Sequence, residues 1–147
     1  MKVFFVNRRL AFGSAIKTES HVEILEAQGI THVMNLRRSN NRHIRCFEDI
    51  WLPFKDNGKR RPKRFYRRAL KFYKQARKNS RSRVFVMCHY GMRRSPSMTY
   101  FLLRFSGATA KRAAALVIKA RAQAKVVRAY RESGEKYLRR MQRRRDV

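Results

Sequence analysis

Apolar positions along the chain change period several times, and each change marks an element. Val3 to Val6 and Leu10 to Ala15 read as two short strands around the turn Asn7-Arg8-Arg9. Thr18 can cap a helix over Glu19 to Gln28, which places Val22, Ile24 and Leu25 on an apolar stripe, sets acids in its early turns and ends at Gly29. Ile30 to Leu36 returns to β-favouring residues. A second such run, Ile44 to Leu52, follows the polar loop Arg37 to Arg45 and stops at Pro53. From Pro62 to Lys78, Phe65, Tyr66, Ala69, Leu70, Phe72, Tyr73 and Ala76 recur at helical spacing, with basic residues between them. One face of that helix is core and the other is strongly cationic.

Val84 to Met87 is a continuous apolar run suited to a buried central strand, and Ser95 to Phe105 is apolar almost all round, as a buried helix would be. Gly107 can end that helix. Thr109 can cap another through about Ala124, and Val126 to Arg145 reads as a last helix, interrupted or bent near Gly134. Strands alternating with helices, then a helical C-terminal half, indicate an α/β fold with a mostly parallel central sheet flanked by helices. The 147 residues, 44% hydrophobic and without repeat or linker, suit one domain spanning 1–147.

Charge changes this picture. Thirty-eight Lys and Arg stand against 9 Asp and Glu, for a formal net charge of +29, and no carboxylate occurs between Asp56 and Glu132. Repulsion on this scale has to be offset by anions, so a solubilising surface and a polyanionic partner such as nucleic acid are equally good readings. The apolar run at Val3 to Val6 is too short for a signal peptide or a membrane span. A soluble, cytoplasmic, monomeric protein is expected. Cys46 and Cys88 are far apart in dissimilar surroundings and are expected as free thiols in a reducing compartment.

The order strand, glycine-containing loop, helix over Val84 to Phe105 collects phosphate, because successive backbone N–H groups and a helix N-terminus converge on one anion. Cys88 sits at the mouth of that loop, where the helix dipole and Arg94 favour the reactive thiolate. Arg94 can present its planar fork to two phosphoryl oxygens. Gly91 lets the loop wrap tightly, and Ser95 can donate to the Cys88 sulfur as it leaves. Cys46, with no such setting, reads as a buried, inert thiol.

Cys88, Gly91, Arg94 and Ser95 match the Cys-x5-Arg signature of protein tyrosine phosphatases, and the Arg-Ser-Pro ending most resembles the dual-specificity subfamily. The resemblance runs from about Phe12 to Phe105 and includes Gly29 to Arg37. It implies that Asn35 buttresses the phosphate loop. In that family a His usually precedes the cysteine, whereas Met87 stands here.

A leaving oxygen needs a proton, so a carboxylic acid must reach it from another loop. Trp51 to Gly58 resembles the family's acid-bearing loop, which makes Asp56 the candidate general acid and then general base; Asp49 is the runner-up. His89, Tyr90, Met92 and Arg93 are the variable loop positions, expected to line or rim the pocket. Arg93 is expected to serve phosphate and not an ion pair, acids being so few, and so to favour substrates with more than one phosphate. His21, His32 and His43 lack metal-ligand spacing, so neither a metal nor a cofactor is expected. The resemblance implies a phosphoprotein substrate, chiefly phosphotyrosine with phosphoserine or phosphothreonine. RNA 5′ phosphates, nucleotides or phosphoinositides are the alternative under the same chemistry, and a non-catalytic module binding phosphate or nucleic acid is a third reading.

Overall fold

The structure, a computed structural model, describes residues 1–145. Five strands form one sheet in the order β1-β2-β5-β3-β4: β1 (Val3–Asn7), β2 (Leu10–Gly13), β3 (His32–Asn35), β4 (Glu48–Trp51) and β5 (Val84–Met87). The β1–β2 hairpin is antiparallel, and every other pairing is parallel. The central strand β5 is buried throughout. Its residues alternate between two cores: Val84 and Val86 join one cluster, as does Cys88 just beyond the strand, and Phe85 and Met87 the other. That is the period-two pattern of a strand covered on both faces.

One helix, α1 (Glu19–Ala27), covers the Phe85/Met87 face through Val22 and Leu25, and Thr18 caps it by accepting the His21 N–H. The opposite face carries α2 (Lys63–Arg77), α3 (Arg94–Phe105), α4 (Ala110–Ala120) and α5 (Arg128–Arg145). Every residue of α3 from Ser95 to Leu103 is buried, as its all-round apolar character predicts. The helix starting at the phosphate loop is therefore held on all sides.

Several boundaries differ from the sequence expectation. The predicted strand Ile44 to Leu52 starts only at Glu48, because Ile44–Cys46 forms a single 3-10 turn. Asn41 Oδ1 caps that turn by accepting the N–H groups of His43 and Ile44. Ile24 is 41% exposed, since at 100° per residue it lies across the helix from Val22. Helix α4 ends at Ala120, short of the predicted Ala124, where Arg121 turns extended. No break occurs at Gly134: α5 runs through it, and a Cβ there would come within 2.9 Å of the Phe101 ring. The glycine marks close packing of α5 on α3. Among the described residues no helix is long and apolar enough to cross a membrane.

Candidate active site

The parallel strands β5 and β3 end together, and the loop 88–93 leaves β5 at that edge to enter α3. Cys88 lies 3% exposed at its base. Its Sγ is 3.2 Å from Ser95 Oγ and receives the Ser95 N–H at 3.4 Å. Ser95 Oγ also lies 3.5 Å from the Gly13 carbonyl, so a thiol can pass its hydrogen bond through Ser95 to Gly13. Once the sulfur is a thiolate, the serine hydroxyl can turn back to it.

The loop's carbonyls are occupied from outside. His89 O accepts from Ala15 N–H, Met92 O from Lys125 N–H and Arg93 O from Ser97 N–H. Arg121 Nη1 donates to Tyr90 O at 2.8 Å and Gly91 O at 3.1 Å. Among the described residues the N–H groups of 89–94 donate to no protein acceptor. A row of such donors leading into a helix N-terminus is a cradle for a tetrahedral oxyanion. Gly91 makes the wrap possible twice over: its φ is +70°, and a Cβ there would stand 2.6 to 2.9 Å from the backbone of Gly13.

Arg94 Nη1 donates to Phe54 O at 3.0 Å and Leu36 O at 3.3 Å, which fixes its guanidinium over the loop. Asn35 is fully buried, but its side chain serves the 37–40 segment: Oδ1 accepts Arg37 N–H, and Nδ2 donates to Ser39 O and Asn40 Oδ1. Its support of the phosphate loop is therefore indirect, through the neighbouring Leu36 carbonyl that holds Arg94. Met87 is fully buried in the α1-side core, so the position before the cysteine contributes packing.

Asp56 faces the loop. Its Oδ2 accepts from Arg93 Nε at 2.8 Å and its Oδ1 from the Tyr130 hydroxyl at 2.8 Å. The expectation that Arg93 would avoid an ion pair is thus corrected: in an acid-poor chain the acid it finds is the catalytic candidate itself. Asp49, the runner-up, sits on β4, where burial raises its pKa.

An open depression of about 410 Å³ over the site is lined by Arg37, Arg38, Ser39, Lys55, Asp56, His89 and Arg94. Tyr90, Met92 and Arg93 are not among its walls. Tyr90 is 69% exposed, with its ring edge-on to His89 at 4.2 Å. Burial, then the charges of Lys17, Arg37 and Arg94, hold the His89 pKa below its ordinary value. Nothing in the sequence singles out Arg37, Arg38 and Lys55, because loop cations are ordinary in so basic a chain. Cys46, expected to be buried, is exposed; both cysteines are free. Among the described residues no cluster of His, Cys, Asp or Glu could hold a metal.

The sequence profile of the dual specificity phosphatase catalytic domain matches residues 12–134. The chain belongs to that family. It is a cysteine-dependent phosphatase domain by sequence as well as by the geometry of Cys88. A comparison with curated proteins gives no match. Among solved structures it resembles a mouse putative dual specificity phosphatase complexed with zinc tungstate (22% identity, TM-score 0.82, covering 97% of this chain and 89% of that one). It also resembles human DUSP28 (20%, 0.80, 95% of each chain). A third likeness is PTPMT1 in complex with PI(5)P (12%, 0.80, 97% of each). At these identities the likeness is one of fold, and this dual-specificity-type phosphatase differs from all three in most of its side chains.

Proposed function

We propose that the protein hydrolyses phosphate monoesters of phosphoproteins, chiefly phosphotyrosine, through a phosphocysteine intermediate in a reducing compartment such as the cytoplasm. The observation that carries this reading is the row of N–H donors at 89–94, none of them given to a protein acceptor among the described residues, around a buried thiol already engaged by Ser95. The Cys88 thiolate attacks phosphorus; the S–P bond forms as the bond to the leaving oxygen breaks, and that oxygen takes a proton from Asp56. Water then attacks phosphorus and gives a proton to the Asp56 carboxylate. The S–P bond breaks, and Ser95 donates to the departing thiolate. Arg94 and the loop N–H groups hold the equatorial oxygens in both steps. Tyr90, exposed with its ring edge-on to His89, which lines the depression, offers apolar surface to an aromatic ring.

A second substrate class is favoured by Arg37, Arg38 and Lys55 lining the depression. Their charges suit a molecule with a second phosphate near the scissile one, such as an inositol phosphate or an RNA 5′ end, and one protein of the same fold is seen with PI(5)P. The deciding experiment is phosphate release from phosphotyrosine and phosphoserine peptides, inositol phosphates and 5′-triphosphorylated RNA at moderate salt, with Cys88→Ser as the blank. The proposal expects peptide turnover to be abolished by Cys88→Ser, reduced at least about a hundredfold by Arg94→Ala, blocked by vanadate and indifferent to chelator. Turnover surviving in Cys88→Ser would overturn it.

A further inference from the structure

Helix α2 turns Phe65, Tyr66, Ala69, Leu70, Phe72, Tyr73 and Ala76 inward to the core. Its outer face is made of Lys63, Arg64, Arg67, Arg68, Lys71, Lys74 and Arg77, continued by Lys78, all exposed, with Gln75 the one uncharged side chain among them. None of the five ion pairs among the described residues involves this face. Lys74 and Arg77 lie against the rings of Phe105 and Tyr73. The remaining six cations have no acidic partner among the described residues.

This arrangement costs helix stability. Lys63 and Arg67, Arg64 and Arg68, and Arg67 and Lys71 are like-charged pairs at i,i+4, each unfavourable by a few tenths of a kcal/mol. Lys63 and Arg64 also occupy the first turn, where the helix dipole disfavours cations. Local stability therefore does not explain the face, and an external polyanion would relieve it.

We propose that the outer face of α2 is a sequence-independent binding surface for the phosphate backbone of duplex nucleic acid, separate from the catalytic cradle. A helix of 15 residues is about 22 Å long, and a duplex carries one phosphate charge for about every 1.7 Å of its axis, so a dense field of negative charge faces a helix of this length laid against it. Single-strand binders stack bases on exposed aromatic rings, and interfacial membrane helices press apolar side chains into the lipid boundary. The exposed large hydrophobic residues, Ile24, Trp51, Tyr90, Met92 and Ile118, all lie off α2. A face with charge and neither rings nor apolar side chains matches a duplex backbone.

The test uses the full chain carrying Cys88→Ser and a labelled 25-base-pair duplex of arbitrary sequence, titrated from about 50 to 200 mM KCl. Replacing Arg64, Arg67, Arg68 and Lys71 by Gln should weaken binding at least about fiftyfold and flatten the log–log salt slope by about 3 to 4, at roughly 0.9 for each phosphate no longer neutralised. Replacing Lys2, Lys111, Arg112 and Lys119 removes the same charge from other exposed positions and should cost less than about fivefold. The α2 variant should melt no lower than the parent; the double variant Arg67→Gln/Lys71→Gln, expected to flatten the slope by about 1.8, covers failure of the quadruple one to fold. Equal losses from the two quadruple variants would show net charge alone at work and overturn the proposal. So would α2-dependent binding to phosphatidylserine vesicles with none to duplex. Hydrolysis of a small aryl phosphate, measured without Cys88→Ser, should be unchanged by the α2 substitutions, which separates this surface from the catalytic reading.

Discussion

Tyr130 gives its hydroxyl hydrogen to Asp56 Oδ1 at 2.8 Å while accepting the N–H of Gly58 at 2.9 Å, so the last helix clamps the acid loop at two points. Tyr130 itself is 4% exposed and packed edge-on against Phe54. A residue 74 positions away in the chain thus sets where the carboxyl group stands.

Asp56→Asn should slow hydrolysis of alkyl phosphates by about 10² to 10⁴ while sparing aryl esters with acidic leaving groups. Tyr130→Phe should slow alkyl ester hydrolysis by about tenfold, the net worth of one hydrogen bond. In the Asp56→Asn background Tyr130→Phe should then add almost nothing. Leaving-group plots for the four proteins decide this; equal slowing of aryl and alkyl esters by Asp56→Asn would remove Asp56 from the role of acid.

Arg121 holds two carbonyls of the phosphate loop from outside and is braced on the Phe4 ring at 4.8 Å. Arg121→Met keeps much of the packing and removes both bonds. We expect kcat/KM to fall about 10- to 100-fold and vanadate affinity to weaken by a similar factor, with the melting temperature little changed. Unaltered vanadate affinity would show that the loop keeps its shape without the clasp.

Gly91→Ala and Gly134→Ala should fail differently. The first puts a Cβ at positive φ and into the Gly13 backbone, which cannot retreat, so activity should drop by at least about a hundredfold, alongside a strain cost of about 1 to 3 kcal/mol. At Gly134 the obstacles are the rings of Phe101 at 2.9 Å and Tyr66 at 3.3 Å. Overpacking there should cost about 1 to 3 kcal/mol with activity of the folded fraction intact. Denaturant melts and active-site titration separate the two.

His89 should titrate below 6.5, its ordinary value. The unfolded chain then binds more protons than the folded one in the window beneath 6.5. The stability that His89 contributes is therefore present above that pH and lost as pH falls through the window. Vanadate in the cradle should raise the midpoint, because an anion opposes the surrounding cations. NMR titration of the imidazole protons, with His89→Gln to assign the signal, gives both values, and a free-protein midpoint above 6.5 would contradict this account.

Where local chemistry decided the outcome, the sequence was legible. Val84 to Met87 read as a buried strand and Ser95 to Phe105 as a buried helix because their apolar patterns leave no solvent face, and the loop between them followed from spacing alone. Contacts between distant segments were not legible. Nothing near Arg93 indicates that Asp56 will meet it, and nothing near Arg121 announces Tyr90 and Gly91 as its acceptors. Gly134 misled for a related reason: glycine lowers helix propensity locally, but its role here is fixed by Phe101 and Tyr66 on other helices. The early end of α4 has the same character, since Arg121 leaves the helix at the point where its side chain reaches the loop.

The close approach of Gly13 to Gly91 extends the catalytic apparatus to the first residues of the chain. Lys2 grips Ser14 through both its backbone N–H and its carbonyl, at 2.9 and 3.1 Å, and Ser14 adjoins the glycine on which the phosphate loop rests. The amino-terminal hairpin thus behaves as a backstop: trimming it, or pulling on it with a fused segment, would loosen the floor beneath the bound phosphate without touching a residue that contacts substrate.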